Sequence, residues 1–209
     1  MKRVSEKNIN TSAYWDACYV QEAIGGKIRV DEARRKQLFR WLHVRIGEAL
    51  SKEKGFSFLD VGCGLGEVLT LVDAVYSSTP RELWGVDLSH AAITACAKRM
   101  PDVQFEESTV LNLPFGKGKF DFVWCGETIE HTDSPDVAVR ELARVTKPGG
   151  MLAISTPYRH QNSSDEHVFE FDPGDVCRWA GEIGEILFLD CLLLEKWLSM
   201  FAVFRKADL

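Results

Sequence analysis

From Phe56 onward, short apolar segments alternate with segments of helical periodicity, and this alternation restricts the fold more than any other feature. The apolar segments, each predicted as a strand, are Phe56–Asp60, Glu82–Val86, Val103–Phe105, Lys119–Cys125 and Met151–Ser155. Ser89 and the pair Ser134–Pro135 are typical helix starts, and Lys147–Gly150 is a typical helix stop. Alternating strands and helices predict an α/β fold, in which helices cover both faces of a parallel sheet.

Two regions fall outside this alternation, and the chain ends in a different pattern. Thr11–Leu50 contains two predicted helices that would cap the carboxyl edge of the sheet, where ligands bind in open α/β folds. Pro157–Asp172 is a polar, histidine-rich insertion at the same edge. Ile186–Leu194 and Met200–Arg205 are predicted to form an antiparallel hairpin at the edge of the sheet.

The composition is that of one folded domain. Of the 209 residues, 45% are hydrophobic and 27% are charged, which is enough to bury a core. A formal net charge of -6 argues against a generally basic nucleic-acid binder. We find no unbroken apolar stretch of the roughly 18 residues that a membrane span requires, and no secretory signal. We therefore predict a cytoplasmic protein with one domain over residues 1–209, a helical cap over residues 1–50 and an insertion over residues 157–172 above the ligand-binding edge of the sheet.

The six scattered cysteines are predicted to be reduced and mostly buried.

A glycine-rich loop follows the first strand directly. Residues 60–66 read DVGCGLG, which has the spacing G-x-G-x-G and not the dinucleotide spacing G-x-G-x-x-G. Glycines permit a sharp turn and close approach of the backbone to a ligand, and the next helix offers free N–H groups at its start. The second strand ends in Asp87, about twenty residues further on, where a carboxylate can bind both ribose hydroxyls.

These motifs, in this order, resemble those of the class I S-adenosylmethionine-dependent methyltransferases. The match runs from Phe56 to Tyr158 and comprises FLDVGCGLG, WGVDLS, NLPF, FDFVWCGETIEH and RVTKPGG. The resemblance implies a Rossmann-like, doubly wound sheet of seven strands with an antiparallel last strand, and S-adenosylmethionine as methyl donor. The donor-binding residues implied are Asp60, Gly62, Gly64, Gly66, Asp87, Leu88, Thr109, Val110 and Gly126. Where the family often has an acidic residue near the adenine, this chain has Thr109, which carries no charge.

A second polar cluster, Glu127, Glu130 and His131, follows the fourth strand. On a helix, this spacing would put all three side chains on one face, where a divalent metal could bind. His167, or His160 as second choice, would complete the site; a solvated helix face is the alternative. The segments CGETIEH and DEHVFEF resemble the ubiquinone-biosynthesis and small-RNA 2′-O-methyltransferases. This resemblance implies Mg²⁺, Mn²⁺ or Zn²⁺ on the ligands Glu127, Glu130, His131 and His167.

The leading hypothesis is S-adenosylmethionine-dependent O-methylation of a small-molecule acceptor. The donor's methyl group is already activated, so the enzyme chiefly aligns the reactants, and a metal would lower the pKa of an acceptor hydroxyl. Without a metal, the catalytic residues would be His131 as general base and Glu130 beside it. The alternatives are terminal ribose 2′-O-methylation of RNA, which the acidic composition disfavours, N- or C-methylation of a metabolite, and a donor-binding protein without catalysis.

A basic segment lies within the predicted cap: Lys27, Arg29, Arg34, Arg35, Lys36, Arg40 and Arg45. We favour a solvated helix face over contact with an anionic substrate, because the intervening apolar residues have helical spacing. Those inner residues are Leu38, Trp41, Leu42 and Ile46. In the first helix, Tyr14, Trp15 and Tyr19 either wall an aromatic acceptor pocket or cap the core.

Overall fold

The computed structural model describes residues 1–7, 9–25, 37, 39–45, 47, 55–158, 166–194 and 197–208. The strands are β1 (Lys2–Arg3), β2 (Phe56–Val61), β3 (Arg81–Asp87), β4 (Gln104–Glu107), β5 (Phe120–Gly126), β6 (Thr146–Pro157), β7 (Phe169–Glu170), β8 (Gly184–Leu194) and β9 (Trp197–Lys206). The helices are α1 (Ser12–Gly25), α2 (described over 39–45), α3 (Glu67–Val75), α4 (His90–Arg99), α5 (Pro135–Val145) and α6 (Pro173–Ile183), with a 3₁₀ turn at Ile129–His131. In the part of the chain described, no helix has both the length and the apolar character needed to cross a bilayer.

Seven strands form one sheet in the order β4-β3-β2-β5-β6-β9-β8. The strands β4, β3, β2, β5 and β6 run parallel, and β9 is antiparallel to both of its neighbours. This confirms the predicted Rossmann-like, doubly wound sheet with an antiparallel last strand. The strand order reverses between β2 and β5, so the carboxyl ends of these two strands flank the crevice in which such folds bind ligands.

Apolar side chains cover both faces of the sheet, as buried parallel strands require. On one face, α5 and α6 pack against strand residues that include Val123, with Trp179 of α6 fully buried. On the other face, α2 and α3 pack against residues that include Phe122. Successive residues of β5 therefore face opposite layers, and the strand is fixed from both sides.

Truncation of Phe122 to alanine is expected to lower the free energy of unfolding by about 3–5 kcal/mol. The side chain is fully buried, and its ring centroid lies 5.1 Å from that of Phe58. Urea denaturation measures the change, with Val137→Ala as control because Val137 is exposed on α5. The control should change stability by about 0.5 kcal/mol or less. Equal effects from the two variants would contradict the packing described for β5.

Several predicted boundaries are confirmed, with corrections of a few residues. The Ser89 hydroxyl caps α4 by accepting a hydrogen bond from the Ala92 N–H. Pro135 begins α5 as predicted, but the Ser134 hydroxyl forms no capping hydrogen bond. The fifth predicted strand is longer than expected, since β6 already begins at Thr146. The C-terminal hairpin is confirmed and extends over β8 and β9.

One helix, α6, was absent from the sequence prediction. It begins with a capping box, in which Asp172 and Asp175 each accept a hydrogen bond from the other's backbone N–H, and Pro173 occupies its first position. This is a local signal that sequence reasoning could have used. The strands β1 and β7, which pair antiparallel outside the main sheet, were also not predicted.

Five residues of the predicted basic segment lie outside the described residues: Lys27, Arg29, Arg34, Arg35 and Lys36. Leu38 and Ile46 of the predicted inner face and His160 of the insertion also lie outside them. Of the predicted inner face, Trp41 and Leu42 are buried as expected. Arg45 binds Asp190 of β8, with 3.1 Å between Nη2 and Oδ2, so this arginine is used within the fold.

All six cysteines are free thiols in the structure. The expectation that most are buried holds for only half of them. Cys63, Cys96 and Cys125 are buried, whereas Cys177 and Cys191 are exposed.

Candidate active site

The glycine-rich loop turns sharply after β2, with all three of its glycines in left-handed conformations. The φ angles are +72° for Gly62, +51° for Gly64 and +72° for Gly66, a region that side chains disfavour. A Cβ on Gly64 would lie 2.8 Å from the Tyr19 hydroxyl of α1. A Cβ on Gly62 would lie 2.1 Å from Thr128 Oγ1, in the turn after β5. The bare backbone of this loop therefore lies between α1 and the β5 turn.

Asp87 lies at the end of β3 and holds the loop in place. Its Oδ2 accepts a hydrogen bond from the Gly64 N–H at 2.8 Å, and its Oδ1 accepts one from the Ser89 N–H at 2.9 Å. Burial raises the pKa of Asp87 above its ordinary value, although these backbone donors act in the opposite direction. A carboxylate has about four acceptor positions, so ribose hydroxyls can bind in addition. The loop and Asp87 together fit a nucleoside-containing donor.

The helix α1 is fixed beside this site by Asp16, a residue that the sequence analysis missed. Asp16 Oδ1 accepts hydrogen bonds from Ser89 Oγ at 2.6 Å and from the Ala91 N–H at 2.9 Å. The Ala91 bond, followed by the Ser89 bond, lowers the pKa of Asp16. An acidic residue within a helix carries no local signal of such a contact, which depends on the first turn of α4.

The remaining predicted donor-binding residues lie at the same edge of the sheet or next to it. Asp60 and Val110 are buried, while Leu88 and Thr109 are partly exposed. The Thr109 hydroxyl oxygen accepts a hydrogen bond from the Leu111 N–H at 3.3 Å, which leaves its O–H as a donor. Contact of these residues with the methyl donor stays a prediction.

Gly126 has a reason to be glycine that is independent of any donor. A Cβ at this position would lie 2.4 Å from the Trp124 ring. Packing of the buried Trp124 therefore already excludes a side chain at residue 126. Its predicted approach to the donor is not needed to explain the residue type.

Glu130, His131 and His167 come together although 36 positions separate the two histidines in the sequence. One ligand atom from each lies within 4.8 Å of the others. Glu130 is 1% exposed; its Oε2 accepts a hydrogen bond from Thr156 Oγ1 at 3.4 Å, and its Oε1 lies 3.8 Å from His131 Nε2. The ring centroids of His131 and His167 are 5.3 Å apart. One carboxylate and two imidazoles form a donor set typical of catalytic metal sites with open positions.

The backbone of the insertion orients His131. Its Nδ1 lies 2.7 Å from the main-chain oxygen of Glu166. A carbonyl oxygen only accepts hydrogen bonds, so Nδ1 carries the proton and the lone pair of the neutral ring is on Nε2, toward Glu130. Burial lowers the pKa of His131 below its ordinary value, partly opposed by the Glu166 carbonyl. This favours the neutral ring, which can bind a metal or accept a proton.

Glu127 lies outside this group of three, because the helix that would put it on the same face as Glu130 and His131 is not formed. The predicted helical spacing fails because Glu127 precedes the 3₁₀ turn and has a positive φ of 51°. Its backbone N–H donates to the Ser155 oxygen at 2.9 Å, and its Oε1 accepts from Ser155 Oγ at 3.1 Å. These contacts direct Glu127 toward β6. Its role as a metal ligand stays a prediction.

Glu130, His131 and His167 are called the histidine group below, and two of the predicted aromatic residues of α1 contact it or the neighbouring Glu166. The Trp15 ring packs edge-on against His131, with 5.1 Å between centroids. The Tyr14 hydroxyl donates a hydrogen bond to Glu166 Oε1 at 3.1 Å. Both side chains are only partly buried, so α1 contributes aromatic surface at the edge of the site.

Comparisons with known proteins found methyltransferases. Residues 59–154 match the model of the methyltransferase domain family. The ubiquinone biosynthesis O-methyltransferase of Paracidovorax citrulli (strain AAC00-1) is 35% identical over 134 residues, which are 58% of this chain and 55% of that protein. The norajmaline N-methyltransferase of Rauvolfia serpentina is 33% identical over 119 residues, which are 54% of this chain and 39% of that protein. The chain spans about half the length of the curated relatives it matches, from 32% to 60%.

A solved structure shares the whole fold. The magnesium protoporphyrin IX methyltransferase of Synechocystis PCC 6803, determined with bound S-adenosylmethionine, has a TM-score of 0.73 at 14% identity, covering 99% of this chain and 100% of that one. The matched segment contains the glycine loop, Asp87 and the turn after β5. Over residues 59–154 the chain matches the methyltransferase domain family, and it shares the fold of the S-adenosylmethionine-bound Synechocystis enzyme.

Proposed function

We propose that this chain transfers the methyl group of S-adenosylmethionine to an oxygen atom of a small molecule, with the assistance of a divalent metal. The observation that carries the proposal is the group Glu130, His131 and His167, whose ligand atoms lie within 4.8 Å of one another. Glu130 and His131 lie in the turn after β5, and His167 lies just before β7. Thr128 of the turn after β5 lies close to the glycine loop at Gly62, which supports a position of the group next to the proposed donor site. The whole chain, residues 1–209, would act as one domain, to which the cap contributes Trp15 and the insertion His167.

The donor set fits a metal by its chemistry. A buried carboxylate needs a positive partner, because an isolated ionised carboxylate is costly to bury. His131 in its neutral form offers Nε2, and donation of its other N–H to a backbone carbonyl is the usual outer-shell arrangement of a metal-binding histidine. When bound, a divalent ion would supply Lewis acidity, which lowers the pKa of an acceptor hydroxyl.

The chain's own residues would then orient the acceptor and exclude water. Asp87 and the glycine loop would hold the donor next to the β5 turn, and Trp15 and Tyr14 of α1, which contact His131 and Glu166, would flank the acceptor. A sulfonium methyl is already activated, so alignment of donor and acceptor carries much of the catalysis. The resemblance to the Paracidovorax enzyme supports an oxygen acceptor, whereas the Rauvolfia relative, an N-methyltransferase, makes nitrogen the comparison to test.

Calorimetric titration of Mg²⁺, Mn²⁺ and Zn²⁺ into protein saturated with S-adenosylhomocysteine tests the proposal. We expect one site for at least one of these ions, and a loss of affinity in His167→Ala. The loss should exceed the roughly 10–100-fold effect typical of outer-shell partners, because a direct ligand is removed. His90→Ala is the control, since His90 is exposed on α4, outside the group.

Glu127→Gln separates the two candidate ligand sets. If Glu130, His131 and His167 are the ligands, this variant should bind the ion like the parent. Equal losses in Glu127→Gln and His167→Ala would restore the four-ligand set. No ion binding in the parent would overturn metal assistance, and nitrogen acceptors with His131 as general base would then be assayed first.

A further inference from the structure

The N-terminal residues form a strand that pairs with the insertion and not with the main sheet. Strands β1 and β7 are antiparallel, with Lys2 opposite Glu170 and Arg3 opposite Phe169. Beyond this pairing, the Val4 N–H donates a hydrogen bond to the Val168 oxygen at 2.8 Å. The backbone pairing between the N-terminal residues and the insertion therefore extends to Val168, the residue that follows His167.

The other side of the same insertion segment is held by the turn after β5. The Val168 N–H donates to the Glu130 oxygen at 2.8 Å. The Glu166 oxygen accepts the Nδ1 proton of His131 at 2.7 Å. Residues 166–170 thus lie between the N-terminal strand and the 3₁₀ turn, and both neighbours fix them through backbone hydrogen bonds.

Arg3 connects the two sides of this arrangement. Its guanidinium carbon lies 5.6 Å from the centroid of the Phe169 ring, and its Nη2 lies 3.7 Å from Asp133 Oδ1. Asp133 follows the turn that carries Glu130 and His131. One side chain of the N-terminal strand therefore contacts both β7 and the segment after the histidine turn.

We propose that residues 2–5 are a positioning element of the active site, which holds Glu166 and His167 against His131. The N-terminal strand holds Val168 by a hydrogen bond to the Val168 carbonyl oxygen. Val168 in turn positions the two residues before it, the His167 side chain and the Glu166 carbonyl. The Glu166 carbonyl oxygen then sets the tautomer of His131. The catalytic consequence rests on the proposed function, whereas the tautomer of His131 is independent of it. Residues 2–5 bond to residues 168–170 of the insertion, so we propose that they act through Glu166 and His167 and not on the reactants themselves.

The test compares Val4→Pro with Val4→Ala in the full chain. Proline removes the Val4 N–H, which makes the shorter of two hydrogen bonds to the Val168 oxygen (the Ser5 N–H donates the other, at 3.4 Å), whereas alanine keeps it and removes only an exposed side chain. Long-range ¹H–¹⁵N spectra of His131 report its tautomer. We expect the Nδ1–H form in the parent and in Val4→Ala, and a mixture of tautomers in Val4→Pro. For Val4→Pro, kcat should fall roughly 10-fold or more, the effect of losing an outer-shell partner, with unchanged affinity for S-adenosylhomocysteine.

Further measurements separate positioning from a general loss of folding. Because residues 2–5 lie outside the seven-stranded sheet, the unfolding midpoint of Val4→Pro should stay close to that of Val4→Ala. The hydrogen-exchange rate of the Val168 N–H should rise in Val4→Pro. The same rate should rise less in Arg3→Gln.

The outcomes distinguish this inference from the proposed function. Unchanged His131 tautomer and kcat in Val4→Pro would overturn the positioning role, as would an Nε2–H tautomer in the parent. A tautomer change in Val4→Pro, in a protein that methylates no oxygen acceptor, would support the positioning role and overturn the proposed O-methylation.

Discussion

Glu130→Gln is expected to lower kcat by about 10²–10⁴-fold, the range for loss of a group that transfers or polarises a proton. The carboxylate is 1% exposed and lies 3.8 Å from His131 Nε2, so its charge acts on the histidine group at close range. Glutamine has nearly the same size and can still accept the Thr156 hydrogen bond. The variant therefore removes the charge while the packing around residue 130 is kept.

Steady-state kinetics and binding of S-adenosylhomocysteine measure the two consequences separately. Donor affinity should stay within about twofold of the parent, because Asp87 and the glycine loop, not Glu130, are expected to bind the donor. The matched control is Glu127→Gln, three positions earlier and bonded to Ser155; it should lower kcat much less. A Glu130→Gln enzyme with parental kcat would show that the histidine group is structural.

Asp87→Asn is expected to weaken the binding of S-adenosylhomocysteine by about 10–100-fold, the effect of losing hydrogen bonds to a charged acceptor. The effect has two sources. A ribose would lose its anionic partner, and the amide NH₂ would face either the Gly64 N–H or the Ser89 N–H, both of which are donors. The second source disturbs the glycine loop itself, so the loss should be greater than that of a single hydrogen bond at the surface.

Titration calorimetry or fluorescence with S-adenosylhomocysteine gives the affinity. Glu107→Gln is the control, because Glu107 of β4 lies opposite Asp87 in the strand register but is exposed. An Asp87→Asn protein with affinity within about twofold of the parent would contradict the placement of the donor at this strand end. A parallel loss in Glu107→Gln would indicate a general electrostatic effect of the sheet edge.

The parts of the molecule that were predictable are those governed by short-range patterns. Five strands were recognised from short apolar segments. Ser89 was recognised as a helix cap because a cap bonds to a backbone N–H only three positions away. The glycine loop followed from the same logic, since positive φ at Gly62, Gly64 and Gly66 is a local requirement of the turn. The helix α6 carried an equally local signal, the Asp172–Asp175 capping box, which was overlooked.

The candidate catalytic group was only partly predictable, for a physical reason. Glu130, His131 and His167 were named from the sequence, but the expected helix that would have included Glu127 is interrupted. Glu127 has a left-handed conformation and is bonded to Ser155 of β6 through its backbone and its side chain. This contact could not be predicted from the residues that neighbour Glu127 in the sequence.

The sequence by itself determined the sheet, the glycine loop and the identity of the residues at its carboxyl edge, because periodicity and turn chemistry act over a few residues. Only the tertiary structure decided which of those residues meet. The Glu166 carbonyl lies against Nδ1 of His131, and Val168, two residues further on, is bonded to the Val4 N–H and to the Glu130 oxygen. Nearly every residue carries the same backbone N–H and C=O groups, so contacts between backbone groups cannot be recognised from the amino-acid sequence.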